Sequence, residues 1–296
     1  MRKIVLGLLV GCTALVSSCS DFLKNDLEET VKKNEQEMLT YINSKNLNMK
    51  KADNGMYYQI TKTNASGDSI KVGDEVVLHY VMSLLDGTKI DSSLRSTNKP
   101  ATVIFGGTIG LQGISDAISK LKSGERGTFL IPSYLAYGSQ NYEKIPGKSV
   151  LVVDLEIVKN RSEDKQIEDY IATGMGNVTV VSREKTESGL RVLKLSQTTG
   201  TQLASGQTAG VVYNGYLASS IKEFDKGQID VYLGSNSVVK GFEEGLLKLK
   251  VGEKAVLVFP SALGYGTQGV PDNTNGGYKI PPYSPLIFVV EIKSTR

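Results

Sequence analysis

Part of this chain is written twice. Leu121-Lys122-Ser123-Gly124-Glu125 returns as Leu249-Lys250-Val251-Gly252-Glu253, and Pro132–Gly138 returns as Pro260–Gly266, both 128 residues later. Upstream, Tyr80 matches Tyr213 at a separation of 133, and Asp91 matches Asp225 at 134. Downstream, Pro146 matches Pro281 and Glu156 matches Glu291, both at 135. The separation changes only between blocks, where loops absorb insertions. Solenoid repeats recur every 20–50 residues or so, so a period this long predicts two tandem domains. A chain of 296 residues fits about two domains of roughly 150 residues.

Inside each repeat the pattern is mostly strand. Val76–Met82 is rich in β-branched and aromatic residues, as strands are. Asp86-Gly87 between Leu85 and Thr88 predicts a two-residue hairpin. Val150–Val158 and Leu286–Ile292 are nearly unbroken apolar runs that predict buried strands. One helix stands out per repeat: Ile114, Ile118 and Leu121 fall at i, i+4, i+7, as do Phe242, Leu246 and Leu249. Gly124 and Gly252 follow as expected C-terminal caps. A second, short helix precedes each repeat, with Met38, Tyr41 and Ile42 on one face and Ile167, Tyr170 and Ile171 on the other copy. The expected class is α+β, with antiparallel sheets.

The N-terminus reads as an address. Arg2 and Lys3 precede a 13-residue apolar run, Ile4–Val16. That is shorter than the roughly 20 residues of a membrane span and suits a secretory signal. The run closes on Val16-Ser17-Ser18-Cys19, which resembles a bacterial lipobox and implies a lipidated Cys19 and a membrane anchor at the bacterial cell envelope. The expected division is residues 1–18 as leader, 19–37 as polar tether, 38–160 as the first domain and 161–296 as the second, with polar Asn160–Asp164 as a linker.

Composition narrows the chemistry. One His and two Cys fall short of the four ligands of a structural zinc site made of His and Cys, and they cannot build a disulfide framework. Lys and Arg total 34 against 31 Asp and Glu, a balance that gives no reason to expect nucleic acid as a partner. No metal and no cofactor are expected. His79 is expected as a hydrogen-bonded strand residue.

Several stretches then resemble one family. They are Tyr213-Asn214-Gly215, Phe224-Asp225, Val238–Gly245, Leu263–Gly266 and Ile280-Pro281-Pro282 followed by Leu286-Ile287-Phe288. The first repeat carries His79-Tyr80, Leu85–Ser93, Asn98-Lys99-Pro100, Ala136-Tyr137-Gly138 and Val152–Glu156. Their order and spacing are similar to the FKBP-type peptidyl-prolyl cis–trans isomerases. The resemblance implies two domains, each a half-barrel sheet wrapped around one short helix, with a proline pocket between them. It also implies proline-containing polypeptides as partners.

Carried over residue by residue, the resemblance makes Tyr213, Asp225 and Tyr265 the catalytic groups of the second domain. Phe224, Val238, Val239, Phe242, Ile280 and Phe288 become its substrate-binding residues. Phe242 stands at the floor, where many relatives carry Trp. Val239 offers its backbone N–H, and Asp225 orients Tyr213 or polarises the twisted amide. In the first domain Tyr80, Asp91, Tyr137 and Ile145 remain, but Ile90, Ala101, Ile114 and Val153 are aliphatic. That site is expected to be weak. Phe242→Ala is expected to abolish catalysis and spare the fold. Two further readings stand beside the enzyme: a chaperone-like module that binds unfolded or proline-containing chains without turnover, and a structural envelope lipoprotein.

Overall fold

The computed structural model describes residues 14–93, 95–107, 109–274 and 276–296. Residues 1–13 of the expected leader lie outside them. A long helix, α1 (Ala14–Ser44), leads into a first unit of β1 (Lys50–Lys51), β2 (Tyr57–Lys62), β3 (Glu75–Leu84), β4 (Lys89–Ser92), β5 (Ala101–Ile104), α2 (Gln112–Ser119), β6 (Arg126–Ile131) and β7 (Leu151–Arg161). The second unit begins with α3 (Glu163–Asp169). It continues through β8 (Ser182–Lys185), β9 (Arg191–Lys194), β10 (Thr208–Leu217), β11 (Glu223–Tyr232), α4 (Lys240–Leu246), β12 (Lys254–Phe259), β13 (Val270–Pro271), β14 (Tyr278–Ile280) and β15 (Leu286–Thr295).

Each unit is built on one large antiparallel sheet, and the second adds a separate two-stranded pair, β13 with β14. The first runs β1-β2-β6-β7-β3-β4, with β5 also on β3; the second runs β11-β10-β15-β12-β9-β8. Topologically equivalent strands sit in equivalent places, which is what the doubled motifs require.

The unbroken apolar runs are explained by burial on both faces. On β12, Ala255, Leu257 and Phe259 join the core that holds α4, while Val256 and Val258 join the cluster that holds α3. On β15, Phe288, Val290 and Ile292 face α4, and Ile287 and Val289 face α3. The first unit repeats this: Phe129, Ile131, Val153 and Leu155 face α2, whereas Leu130, Val150 and Val152 face Met38, Tyr41 and Ile42 of α1. Side chains alternate across a strand, so a strand covered on both faces carries no polar alternation.

Four local expectations are corrected. The segment 19–37, expected as a tether, lies wholly within α1, and its second half is docked. Thr30 and Asn34 are buried, and Lys148 Nζ meets Asp26 Oδ1 at 2.6 Å. Asn160–Asp164 is not a loose linker: Arg161 closes β7 and ties Glu75 at 2.6 Å to Asp169 at 3.1 Å. Ser162 then caps α3 by accepting from the Lys165 N–H. The expected two-residue hairpin spans three residues, with Leu84 N donating to Thr88 O at 2.9 Å. Gly87 takes a φ of 90°, the left-handed place in such a loop. Gly124 and Gly252 do not cap α2 and α4, which end at Ser119 and Leu246. They belong to the next turns, where Glu125 N donates to Lys122 O and Glu253 N to Lys250 O.

His79 is buried, with Nδ1 2.9 Å from Ser93 Oγ and Nε2 3.4 Å from Asn98 Oδ1. It pins the segment between β4 and β5. Among the described residues no helix is long and apolar enough to cross a membrane.

Candidate active site

The second unit gathers its rings at one place. Tyr213 lies on β10; Phe224 and Asp225 lie on β11, paired antiparallel with it. Phe288 comes from β15 and Phe242 from α4. Phe288 is the hub. Its centroid lies 4.9 Å from Phe242, 5.6 Å from Phe224, 6.0 Å from Tyr213 and 5.8 Å from Phe259. Tyr213 meets Phe242 edge-on at 5.8 Å and 76°. These separations fall within the favourable range for aromatic pairs, about 4.5–7 Å. Gly215 makes the approach possible: a Cβ there would stand 2.8 Å from Phe224 and 3.0 Å from Phe288.

These rings enclose a cavity of about 350 Å³ lined by Tyr213, Phe224, Asp225, Ile229, Ser237, Val238, Val239, Phe242, Tyr265 and Phe288. Its polar groups are few and placed. Tyr213 Oη donates to Asp225 Oδ2 at 3.0 Å. Tyr265 follows the short turn Ser261–Leu263, is 38% exposed, and its hydroxyl has no hydrogen-bond partner among the described residues. Burial, then the Asp225 charge, pushes the Tyr265 phenol above the ordinary tyrosine value. Burial and then the bond to Asp225 do the same for Tyr213. Both hydroxyls are therefore protonated donors at neutral pH. Val239 is the N-cap of α4 in extended backbone, so its N–H precedes the helical ladder.

The cavity thus brings together Tyr213, Asp225, Tyr265, Phe224, Val238, Val239, Phe242 and Phe288. Ile280 stands apart: it is 2% exposed within the core cluster and pairs with Val270 across β13 and β14. Ile229 and Ser237 line the cavity but were not expected to. Ile229 falls on the β11 face of Asp225 by the period of two, a signal legible only once β11 is known to run unbroken from Glu223 to Tyr232.

The first unit places its counterparts in the same register but gathers no such rings. Tyr80 Oη donates to Asp91 Oδ2 at 2.5 Å, and burial followed by that bond pushes the Tyr80 phenol up to about 12. Ala101 pairs with Leu78 as Ile229 pairs with Val211, so a methyl replaces a butyl wall. Ile90 and Ile114 pack partly buried against the core, and Val153 is fully buried within it. Ile145 is 2% exposed, like Ile280. Tyr142 stacks on Tyr137 at 4.8 Å and 20°, covering the ring that corresponds to Tyr265.

A larger cleft of about 740 Å³ lies between the first unit and α3, and its lining, Asp68, Ser69, Lys71, Asp74, Lys159, Asn160, Arg161, Ser162, Lys165 and Asp169, is entirely polar. It has no apolar wall with which to strip water from an amide. The aromatic cavity does, and it offers hydroxyl and backbone donors at its rim. Such a site suits the twisting of a peptide bond, which needs no nucleophile.

Comparison with known proteins shows the family. A family model described as FKBP-type peptidyl-prolyl cis-trans isomerase matches residues 67–158 and again 200–293. The chain is similar to Peptidyl-prolyl cis-trans isomerase FKBP9 of Mus musculus, 30% identical over 220 residues, covering 74% of this chain and 34% of that protein. It therefore spans about a third of the length of that relative. It is also similar to FKBP-type peptidyl-prolyl cis-trans isomerase FkpA of Aeromonas hydrophila, 35% identical over 133 residues, covering 45% of this chain and 47% of that one. Among solved structures, the three FKBP domains of wheat FKBP73 align over 82% of this chain and 96% of theirs, at 20% identity and a TM-score of 0.39.

Proposed function

The chain belongs to the FKBP-type peptidyl-prolyl cis-trans isomerase family, and from that premise we propose that it isomerises X–Pro bonds in its second domain. Rotation about a peptide bond faces a barrier of about 18–20 kcal/mol set by amide resonance. The planar form is charge-separated, and water favours it. The observation that carries the reading is the convergence of Phe224, Phe242, Phe288, Tyr213 and Tyr265 on one cavity of about 350 Å³. A proline ring in that cavity loses water on several sides, which removes part of the advantage of the planar form.

The polar groups then act on the twisted bond. The Tyr265 hydroxyl donates to a substrate carbonyl, and the Val239 N–H holds the peptide backbone. Asp225 orients Tyr213 and faces the amide as it twists. A bond made more strongly in the twisted state is what speeds the step. The test is a proline-peptide isomerisation assay on the full chain carrying pocket substitutions. Loss of turnover on Tyr265→Phe supports the reading; unchanged turnover sinks it.

A second reading holds for the first domain alone. Its aliphatic wall and the covered Tyr137 favour binding of proline-containing or unfolded chains without turnover. Suppressed aggregation of a proline-free client by a second-domain-inactive chain would support it.

The domain boundary falls one residue beyond the expected 160/161 division, after Arg161 closes β7, and the leader ends at residue 18. The enzyme works at the bacterial cell envelope on exported proteins, held there by a lipidated Cys19. The basic Arg2-Lys3, the apolar run and Val16-Ser17-Ser18-Cys19 support this placement. Stable anchoring needs more than one acyl chain, so Cys19→Ser should move the protein from the membrane fraction to the soluble one.

A further inference from the structure

Asn34 and Glu163 hold the same place in the two units. They are 129 residues apart, the separation that also relates Met38 to Ile167, Tyr41 to Tyr170 and Ile42 to Ile171. Each belongs to the helix that covers the back of its sheet. Each reaches the first residue of the short turn leading to the rim tyrosine. Asn34 Oδ1 accepts from the Ser133 N–H at 2.8 Å and from Ser133 Oγ at 2.7 Å. Glu163 Oε2 accepts from the Ser261 N–H at 2.6 Å, and its Oε1 accepts from Ser261 Oγ at 2.8 Å. Ser133 is 1% exposed and Ser261 4%.

The turn carries this hold forward. The Ser261 carbonyl accepts from the N–H groups of Gly264 and Gly266, both at 2.8 Å, one on each side of Tyr265. The Ser133 carbonyl accepts in the same way from Ala136 and Gly138, on each side of Tyr137. Two hydrogen-bonded steps therefore join the back helix to the backbone of the rim tyrosine. Tyr265 needs the hold. With its hydroxyl unbonded among the described residues, the backbone is what sets where that hydroxyl points. A displacement of about 1 Å can cost on the order of a hundredfold in rate.

We propose that Glu163 is a positioning residue for Tyr265, gripping Ser261 from behind the sheet so that the Ser261–Gly266 turn presents the tyrosine hydroxyl to the cavity. The inference rests on the second-domain reading above. What the turn requires is an acceptor within reach of both the serine N–H and its hydroxyl; charge is incidental, because the single amide oxygen of Asn34 takes both bonds in the first unit. Burial pushes the Glu163 carboxyl up, and the two Ser261 bonds pull it back. A neutral side chain is an adequate substitute there, as Asn34 is in the first unit.

The test is a double-mutant cycle in the full chain, following isomerisation of a proline peptide and the melting temperature. Glu163→Ala should lower kcat by about tenfold with KM within about twofold. Glu163→Gln should restore most of it. In the Tyr265→Phe background, Glu163→Ala should add almost nothing, because two residues that act as a unit are non-additive. Should Glu163→Ala fail to fold, Ser261→Ala removes the side-chain half of the grip and takes its place in the cycle. The inference is overturned if Glu163→Ala lowers the melting temperature but not kcat, if Gln does not rescue, or if the two losses multiply. Tyr265→Phe without effect overturns both this inference and the second-domain reading, whereas an active role for Tyr265 with multiplying losses overturns this inference alone.

Discussion

The two units differ at their floors far more than in their frames. Both carry a sheet of equivalent order, a short helix against one face and a covering helix against the other. Both keep a tyrosine–aspartate pair, Tyr80 with Asp91 and Tyr213 with Asp225. Phe242 and Phe288 in the second become Ile114 and Val153 in the first. β11 runs unbroken, whereas its counterpart is split into β4 and β5 around a segment pinned by His79. The lesson is that the frame tolerates either floor, because aliphatic and aromatic residues both fill a core. A pocket that takes a proline ring needs the flat, polarisable walls.

The largest expected effect comes from removing that difference. Phe242→Leu keeps the bulk but not the ring, and turnover should fall by roughly thirtyfold. A swap of that kind costs the fold less than about 1.5 kcal/mol, so the melting temperature should fall by several degrees at most. Phe242→Ala is the poorer test. Phe242 is 3% exposed, and truncating a buried Phe costs about 3–5 kcal/mol out of a typical total of about 5–15 kcal/mol. That variant should lose stability as well as turnover, so its inactivity alone would not isolate the ring.

The comparison is sharpened next by paired hydroxyl deletions. Tyr265→Phe should lower turnover about tenfold, the worth of one hydrogen bond. Tyr137→Phe, beneath the stacked Tyr142, should leave it unchanged; a comparable loss from Tyr137→Phe would show the first domain to be active. Smaller still, Asp225→Asn should cost only about threefold if the residue serves to orient Tyr213, since an amide oxygen still accepts that hydroxyl. A far greater drop would assign the carboxylate charge to the twisting amide itself.

The smallest effect is read by pH. The Tyr80 phenol is raised to about 12 from 10.0, so folding favours its protonated form. The stability it contributes is complete below about 10 and is lost as pH rises towards 12. Phenolate absorbance should show Tyr80 titrating after exposed tyrosines. Because Tyr213 and Tyr265 are raised as well, isomerase activity should persist past the ordinary tyrosine value of about 10. A decline beginning well below it would remove the hydroxyls from the proposed chemistry.

Some of this was legible in the residues and some was not. Strand and helix positions follow from periodicity, and the unbroken runs of β7 and β15 announced strands buried on both faces. The local errors share one cause. A Gly after an apolar stripe reads as a helix cap, yet α2 and α4 stop at Ser119 and Leu246 because the chain must turn into β6 and β12. A polar stretch reads as a tether, yet Asn34 is polar because it feeds Ser133. Ile280, expected at the pocket, is buried in the core and absent from the cavity lining, whereas Ile229, for which nothing was expected, lines it. That choice depends on how β10, β11 and β14 are registered.

The repeat, the α+β class, the family likeness and the aromatic inventory of the second half were all determined by the sequence itself, because each is carried by the order and spacing of residues along the chain. Tertiary structure alone decided that Phe224, Phe242, Phe288, Tyr213 and Tyr265 meet around one hollow, and that Asn34 and Glu163 grip the turns ahead of Tyr137 and Tyr265. Those contacts join segments as far apart as 98 and 99 residues. They exist only when strand pairing and helix docking bring distant backbone into register, which no local pattern encodes.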